Sequence, residues 1–193
     1  MDTPKQTIAV LLFPRFSNYC LANANERLRA ANELSRRKLY DWTYVSPDGM
    51  QVTSSSGLPV LPASSLRDFG KGDALFVLPS FDARHHATPE LSRMLRSAVG
   101  RFDTIAGMDT GSWLLATAGL LDGRRATIHP DEFLDFSETF DQVDSVMDRF
   151  VMDGRIVTCG GALSTLDLVL AMIRRPHGET LSLEIASYLM AAP

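Results

Sequence analysis

The sequence predicts an α/β fold in which helices cover both faces of a mostly parallel sheet. Short apolar runs, typical of buried strands, alternate along the chain with longer segments whose apolar residues recur at helical spacing. Of the 193 residues, 45% are hydrophobic and 22% are charged, as in an ordinary globular domain. We therefore expect a single domain over residues 1–193, a flavodoxin-like three-layer sandwich.

The first half of the chain contains three strong strand signals and two helix signals. Residues 7–13 form an apolar run that stops at Pro14, which predicts the first strand. Residues 18–37 carry Ala, Leu and charged residues at helical spacing, and their basic end suits the helix dipole. Further predicted elements are strands at 42–45 and 74–78, a hairpin or edge piece at 51–62, and an amphipathic helix at 89–101.

The second half continues the alternation. Asp153-Gly154 between two apolar runs is a strong hairpin signal. Pro176-His177-Gly178 predicts a break between two helices. The elements predicted here are a strand at 104–106, a helix at 110–120, a short strand at 126–128, a short helix at 131–140, hairpin strands at 149–152 and 156–158, and helices at 162–174 and 179–190.

The most informative segment is the strand–turn–helix over residues 103–123. Gly107 and then Asp109-Thr110-Gly111 make an abrupt turn between the strand and the helix. Many α/β enzymes present a nucleophile at the tip of such an elbow, but the residue at the tip here is Asp109. Asp tolerates the left-handed backbone that an elbow imposes. The pattern therefore indicates a binding module built on an enzyme's framework.

Composition and charge exclude several classes of function. A net charge of −4 gives no electrostatic footprint for nucleic acid. Cys20 and Cys159 are far apart and fit no metal spacing, so we predict reduced thiols, no metal and no cofactor. The first apolar run is too short for a signal peptide, and no segment approaches the length of a membrane span. We therefore expect a cytoplasmic protein.

Several blocks of sequence resemble a known family. They are AGLLDGRRATIH (118–129), DGRIVTCGGA (153–162), TLDLVL (165–170) and ERLRAAN (26–32). These blocks are similar to the ThiJ/PfpI branch of the class I glutamine amidotransferase-like superfamily, and most of all to the amino-terminal domain of bacterial AraC-type transcriptional regulators. The resemblance implies a homodimeric domain that senses a small-molecule effector. It also implies that DNA is contacted only through a carboxyl-terminal helix-turn-helix domain, which lies outside residues 1–193.

Two departures from the enzymes of that superfamily bear on function. The enzymes carry Cys at the elbow, whereas regulators resembling those for betaine and carnitine catabolism often read Asp-Thr, as Asp109-Thr110 does here. The loop over residues 79–82 lacks the paired glycines that usually donate backbone N–H groups to an oxyanion. The resemblance therefore implies a sensing domain for a betaine- or carnitine-like amine, without catalysis.

Seven residues make up the predicted ligand site: Asp109, Glu26, Thr110, Trp113, His129, Phe16 and Phe81. Asp109 is expected to pair with a cationic ligand; the alternatives are a cap on the first amides of the following helix or a covalent nucleophile. In the wider superfamily a Glu on the first helix points at the elbow residue, so Glu26 is placed beside Asp109. The other interpretation of Glu26 is a solvated ion pair with Arg29 or Arg27.

The remaining candidates also have two interpretations each. His129 either hydrogen-bonds the ligand or holds a loop. Trp113, Phe16 and Phe81 either form an aromatic wall for a quaternary ammonium group or belong to the core. Asp167 lies in an almost wholly apolar helix and requires a partner, either backbone N–H or an Arg.

Two rival functions remain open at this point. The first is a hydrolase or hydro-lyase of the isonitrile-hydratase kind that uses Asp109 or Glu26 as an acid or base. The second is a purely structural dimerisation domain, which would have a filled elbow and no cavity.

Overall fold

A computed structural model describes residues 4–189 of the chain. Its elements in chain order are β1 (Gln6–Leu12), α1 (Asn18–Ser35), β2 (Tyr40–Ser46), β3 (Val52–Thr53), β4 (Pro59–Val60), β5 (Ser64–Ser65), β6 (Gly72–Leu78), α2 (Ala83–His86), α3 (Pro89–Ala98), β7 (Phe102–Met108), α4 (Gly111–Thr117), β8 (Arg125–Ala126), a 3-10 turn (Pro130–Glu132), α5 (Phe133–Thr139), β9 (Asp144–Ser145), β10 (Phe150–Asp153), β11 (Ile156–Cys159), α6 (Ala162–His177) and α7 (Glu179–Tyr188).

The central sheet has seven strands in the order β10-β11-β7-β6-β1-β2-β5. Neighbouring strands run parallel, except that β10 is antiparallel to β11. Val10 in β1 is in register with Tyr44 in β2 and with Phe76 in β6. Because the strands are parallel, the carboxyl ends of β1, β6 and β7 meet at one edge of the sheet, where α/β proteins bind ligands. The predicted α/β class and flavodoxin-like architecture are confirmed.

Helices cover both faces of the sheet, which produces two cores. One face of β1 contributes Ile8, Val10 and Leu12 to a core that contains residues of α1, α6 and α7. The other face contributes Ala9 and Leu11 to a core that contains residues of α3, α4 and α5. A strand buried on both faces reads as a continuous apolar run, which is why β1 was visible in the sequence. Within residues 4–189, none of the helices is long and apolar enough to cross a membrane.

Most predicted elements are confirmed, with differences where turns are involved. The hairpins at 51–62 and around Asp153-Gly154 are β3–β4 and β10–β11. Pro176 was expected to separate two helices but lies inside the last turn of α6, which is capped by Gly178 with φ 87°. Proline lacks the backbone N–H for one helical hydrogen bond, and α6 extends only one residue beyond Pro176. The predicted end of the last helix at residue 190 lies outside the described residues.

The elbow between β7 and α4 is a tight connection of two residues, Asp109 and Thr110. Asp109 has φ 61°, the left-handed conformation predicted for the tip. A Cβ atom at Gly107 would lie 2.9 Å from Leu115 Cδ1, and a Cβ at Gly111 would collide with the backbone carbonyl oxygen of Val77. Glycine at these positions lets α4 pack directly against β7 and the end of β6.

We expect the substitution Gly111→Ala to destabilise the domain by about 1–3 kcal/mol in urea unfolding, because its methyl group meets rigid backbone. The higher helix propensity of Ala offsets at most about 1 kcal/mol of this effect.

Gly100→Ala is the matched control for this substitution. No atom lies within 4 Å of a Cβ at Gly100, so its effect should stay within about 0.5 kcal/mol. Equal stability of the two variants would contradict the close approach at the elbow.

Candidate ligand-binding site

A cavity of about 470 Å³ opens beside the elbow at the carboxyl edge of the sheet. It is lined by four separate segments and by Ala162: Ser17 and Cys20 at the start of α1, residues 80–85 after β6, Asp109 and Thr110 at the elbow, and His129, Asp131 and Glu132 around the 3-10 turn. The filled elbow expected for a purely structural domain is therefore wrong.

Asp109 lies on the cavity wall and is 8% exposed. Its Oδ2 accepts a hydrogen bond from Cys20 Sγ at 3.3 Å, and its backbone carbonyl accepts one from His129 N at 3.1 Å. Thr110 is the N-cap residue of α4 and makes no side-chain capping bond. The carboxylate therefore accepts a hydrogen bond from a thiol of α1, a contact that differs from the one the capping interpretation predicts.

Cys20, rather than Glu26, is the α1 residue that contacts the elbow. Glu26 lies outside the cavity lining, and its Oε2 accepts a hydrogen bond from Arg29 Nε at 2.8 Å. Six residues of α-helix rotate a side chain by about 240° about the axis, so both positions cannot face the same site. The prediction that Glu26 faces Asp109 is wrong, and the alternative ion pair with Arg29 is confirmed.

Both thiols are held in the protonated form. Burial raises the pKa of Cys20 far above its usual value, and the nearby charge of Asp109 raises it further. Burial likewise raises the pKa of Cys159 to about 11. A thiol is nucleophilic only as the thiolate, so Cys20 acts here as a hydrogen-bond donor to the carboxylate.

Left-handed backbone is concentrated around the cavity. Of the five non-glycine residues with positive φ in residues 4–189, Ser80, Asp82 and Asp109 line the cavity, and Arg15 donates a hydrogen bond from Nη1 to Asp82 Oδ2 at 2.7 Å. Ser80 Oγ accepts a hydrogen bond from Ser17 N at 3.0 Å, and its carbonyl accepts one from the Thr110 hydroxyl. Such conformations persist only where surrounding contacts hold them, and they cluster at functional sites.

Among the predicted aromatic residues, only Phe81 lines the cavity, with 51% of its surface exposed. Phe16 is fully buried in the core formed with α1, so its predicted place in an aromatic wall is wrong. Trp113 is 7% exposed and packs with Phe136 and Phe140 in the opposite core. These placements follow from the high apolar area of aromatic side chains, which favours burial.

The two remaining predicted residues, Thr110 and His129, both line the cavity. His129 Nδ1 accepts a hydrogen bond from Asp131 N at 3.3 Å, which holds the start of the 3-10 turn. Its ring faces Gly161, where a Cβ atom would approach His129 Cδ2 to 3.2 Å. His129 thus has the loop-holding contact that the sequence left open, at a position within the cavity wall.

Acidic groups dominate the cavity. Four carboxylates line it, from Asp82, Asp109, Asp131 and Glu132, against one guanidinium from Arg84. Asp82 is paired with Arg15 and Glu132 with Arg84, so within residues 4–189 Asp109 and Asp131 are the two lining carboxylates without an arginine partner. Within residues 4–189, no three His, Cys, Asp or Glu side chains come together as a metal site would require.

Sequence reasoning missed Cys20, Arg84 and three of these carboxylates. The signal available was their position, because Asp82 and Arg84 follow the end of β6, and Asp131 and Glu132 follow the strand signal at 126–128. Outside the site, Asp167 pairs with Arg149 Nη2 at 2.5 Å, which is one of the two kinds of partner that the sequence left open.

Comparison with known proteins defines the family. The DJ-1/PfpI family matches residues 6–175, and the chain belongs to that family. The HTH-type transcriptional regulator CdhR of Pseudomonas aeruginosa is 39% identical over 176 residues, which cover 91% of this chain and 52% of the regulator. The HTH-type transcriptional regulator GbdR of Pseudomonas aeruginosa is 34% identical over 181 residues, which cover 94% of this chain and 49% of the regulator.

A solved structure extends the comparison to three dimensions. The AraC family transcriptional regulator of Pseudomonas putida superposes with a TM-score of 0.84 at 26% identity, covering 96% of this chain and 100% of that structure. The chain spans about half the length of the curated regulators it matches. The family resemblance inferred from the sequence blocks is therefore confirmed.

We expect Cys20 and Cys159 to resist iodoacetamide in the folded protein at pH 8, because burial raises both pKa values above that of a free thiol and so lowers the thiolate fraction. Mass spectrometry should detect alkylation of both residues only after unfolding in urea. Rapid alkylation of folded Cys20 would contradict the protonated thiol and would favour a cysteine-based enzyme.

Proposed function

We propose that this chain is the effector-sensing domain of an AraC-type transcriptional regulator, and that its elbow cavity binds a small cationic amine of the betaine or carnitine type. The similarity to regulators along almost the whole chain supports the first part. The carboxylate of Asp109 at the position of an attacking group supports the second.

The observation that carries the ligand class is the environment of Asp109. Its carboxylate lies in a cavity within the size range of about 300–1,000 Å³ that small-molecule sites occupy. Three further carboxylates line the same cavity, of which Asp82 is paired with Arg15 and Glu132 with Arg84, so the lining is acidic even after these ion pairs are counted. A betaine-like molecule is small enough for this volume and carries a positive charge that the acidic lining would attract.

In the proposed regulator, the domain acts from the cytoplasm as a homodimer and reaches DNA through a separate helix-turn-helix domain. Effector binding favours one arrangement of the domains over another, and the shift is limited by the difference in affinity for the two states. Catalysis is absent from this proposal. A thiol held protonated and a loop over residues 79–82 without paired glycines support binding over acyl chemistry.

We expect glycine betaine or carnitine to raise the melting temperature of the domain, and Asp109→Asn to weaken ligand affinity by at least about tenfold. Isothermal titration calorimetry of the wild type and the variant measures the change in affinity directly.

The matched control is Asp103→Asn, which removes the same charge from the opposite end of β7 and should leave affinity unchanged. Failure of every cationic amine to bind would contradict the ligand class. Turnover of an isonitrile by the wild type that is lost in Asp109→Asn would contradict the sensing function and establish the enzymatic alternative.

A further inference from the structure

The cavity contains a cation that belongs to the protein itself. The guanidinium carbon of Arg84 lies 4.2 Å from the centroid of the Trp113 ring. Arg84 Nη2 is 2.7 Å from Glu132 Oε2 and 2.5 Å from Asp135 Oδ2. We call the Trp113 ring face and the carboxylates of Glu132 and Asp135 the cation box. An aromatic face combined with carboxylates is the arrangement that recognises methylated ammonium groups.

The two sides of the box differ in mobility. The indole of Trp113 is buried and fixed by Phe136 and Phe140, whose ring centroids lie 6.1 and 5.2 Å from it. In contrast, 47% of the Arg84 side chain is exposed, so the guanidinium can leave the box for water without disturbing the core. The box would persist without its present occupant, because its aromatic side is part of the core formed with α4 and α5.

The box adjoins the proposed effector site. Arg84 and Glu132 both line the cavity that contains Asp109. Departure of Arg84 would leave two carboxylates and the indole face open beside a cavity with a net negative lining. A quaternary ammonium or guanidinium group from a ligand would restore the charge balance that Arg84 supplies in the unliganded domain.

We propose that the cation box binds the positive charge of the effector, and that the effector displaces Arg84 from the box when it binds. The inference rests on the proposed function. Asp109, on the wall of the same cavity, supplies part of the negative field that attracts the ligand. Arg84 is thus an internal competitor, and the observed affinity equals the intrinsic affinity reduced by the fraction of molecules whose box is open.

Displacement has a structural consequence. Arg84 belongs to α2, Glu132 to the 3-10 turn and Asp135 to α5, so its ion pairs tie the segment after β6 to the segment after residue 128. A ligand cation in the box would pair with Glu132 and Asp135 in place of Arg84. The segment α2 would then lose its ion pair with α5. Effector binding would thereby be coupled to a rearrangement at this edge of the domain.

The test uses Arg84→Ala with tetramethylammonium chloride and glycine betaine as probes, and potassium chloride at equal ionic strength as the blank. The chain has two tryptophans, and Trp42→Phe leaves Trp113 as the sole tryptophan, which is excited selectively at wavelengths where tyrosine does not absorb. We expect Arg84→Ala to bind both probes at least about threefold more tightly than its parent, because the competitor is gone. Saturation with either probe should change Trp113 emission in both proteins.

Arg125→Ala is the matched control, because it removes an exposed ion pair of 3.0 Å to Asp148 outside the cavity lining. This variant should bind like the parent. The double variant Glu132→Gln, Asp135→Asn removes the charges of the box without altering the aromatic core, and it should lose the gain that Arg84→Ala confers when the substitutions are combined.

The outcomes separate the two proposals. Unchanged affinity in Arg84→Ala, together with silent Trp113 emission and loss of binding in Asp109→Asn, overturns the cation box and leaves the proposed function standing. Weaker betaine binding in Arg84→Ala also overturns it, since Arg84 would then contact the ligand's carboxylate. Absence of binding in both the parent and Arg84→Ala overturns both proposals.

Discussion

The site depends on the close approach of the elbow to the neighbouring strand. Helix α4 begins at Gly111, three residues after β7 ends at Met108, and there is no room for a side chain between Gly111 and the Val77 carbonyl. The turn is closed only because Asp109 adopts φ 61°. This geometry holds the Asp109 side chain against α1, beside Cys20 and at the edge of the cavity.

The contact between Asp109 and Cys20 defines the chemical character of the site. The resemblance implies that the related enzymes combine an elbow cysteine with a protonated acid on the first helix. Here the acid is at the elbow and a thiol on α1 contacts it. A buried thiol beside a carboxylate stays protonated, so the sulfur of this pair is not nucleophilic. This pairing is the physical basis of the cation binding proposed for the elbow cavity.

The cavity is assembled by contacts between segments that are distant in sequence. Ser80 joins two of them, since its hydroxyl accepts from Ser17 N and its carbonyl accepts from the Thr110 hydroxyl. Arg84 joins two others through Glu132 and Asp135. Ion pairs at exposed positions contribute little to stability. The free energy needed to rearrange them is therefore small, which suits the ligand-dependent rearrangement proposed above.

The fold class, the family and the elbow could all be predicted from the sequence alone. Apolar runs and helical spacing are local properties, so β1, β6 and the β7–α4 turn with Asp109 and Thr110 were visible without coordinates. Helix α2, which contains Arg84, has only four residues and therefore gives no periodic signal in the sequence.

The contacts between distant side chains depend on the tertiary structure and could not be predicted from the sequence. The angle at which α1 docks on the sheet turns Cys20 toward Asp109 and leaves Glu26 outside the cavity, where it pairs with Arg29 one turn along the same helix. Packing placed Phe16 in the core and put the guanidinium of Arg84 over Trp113. Local sequence fixes which residues share a face of a helix, but the direction of that face depends on the elements that pack against it.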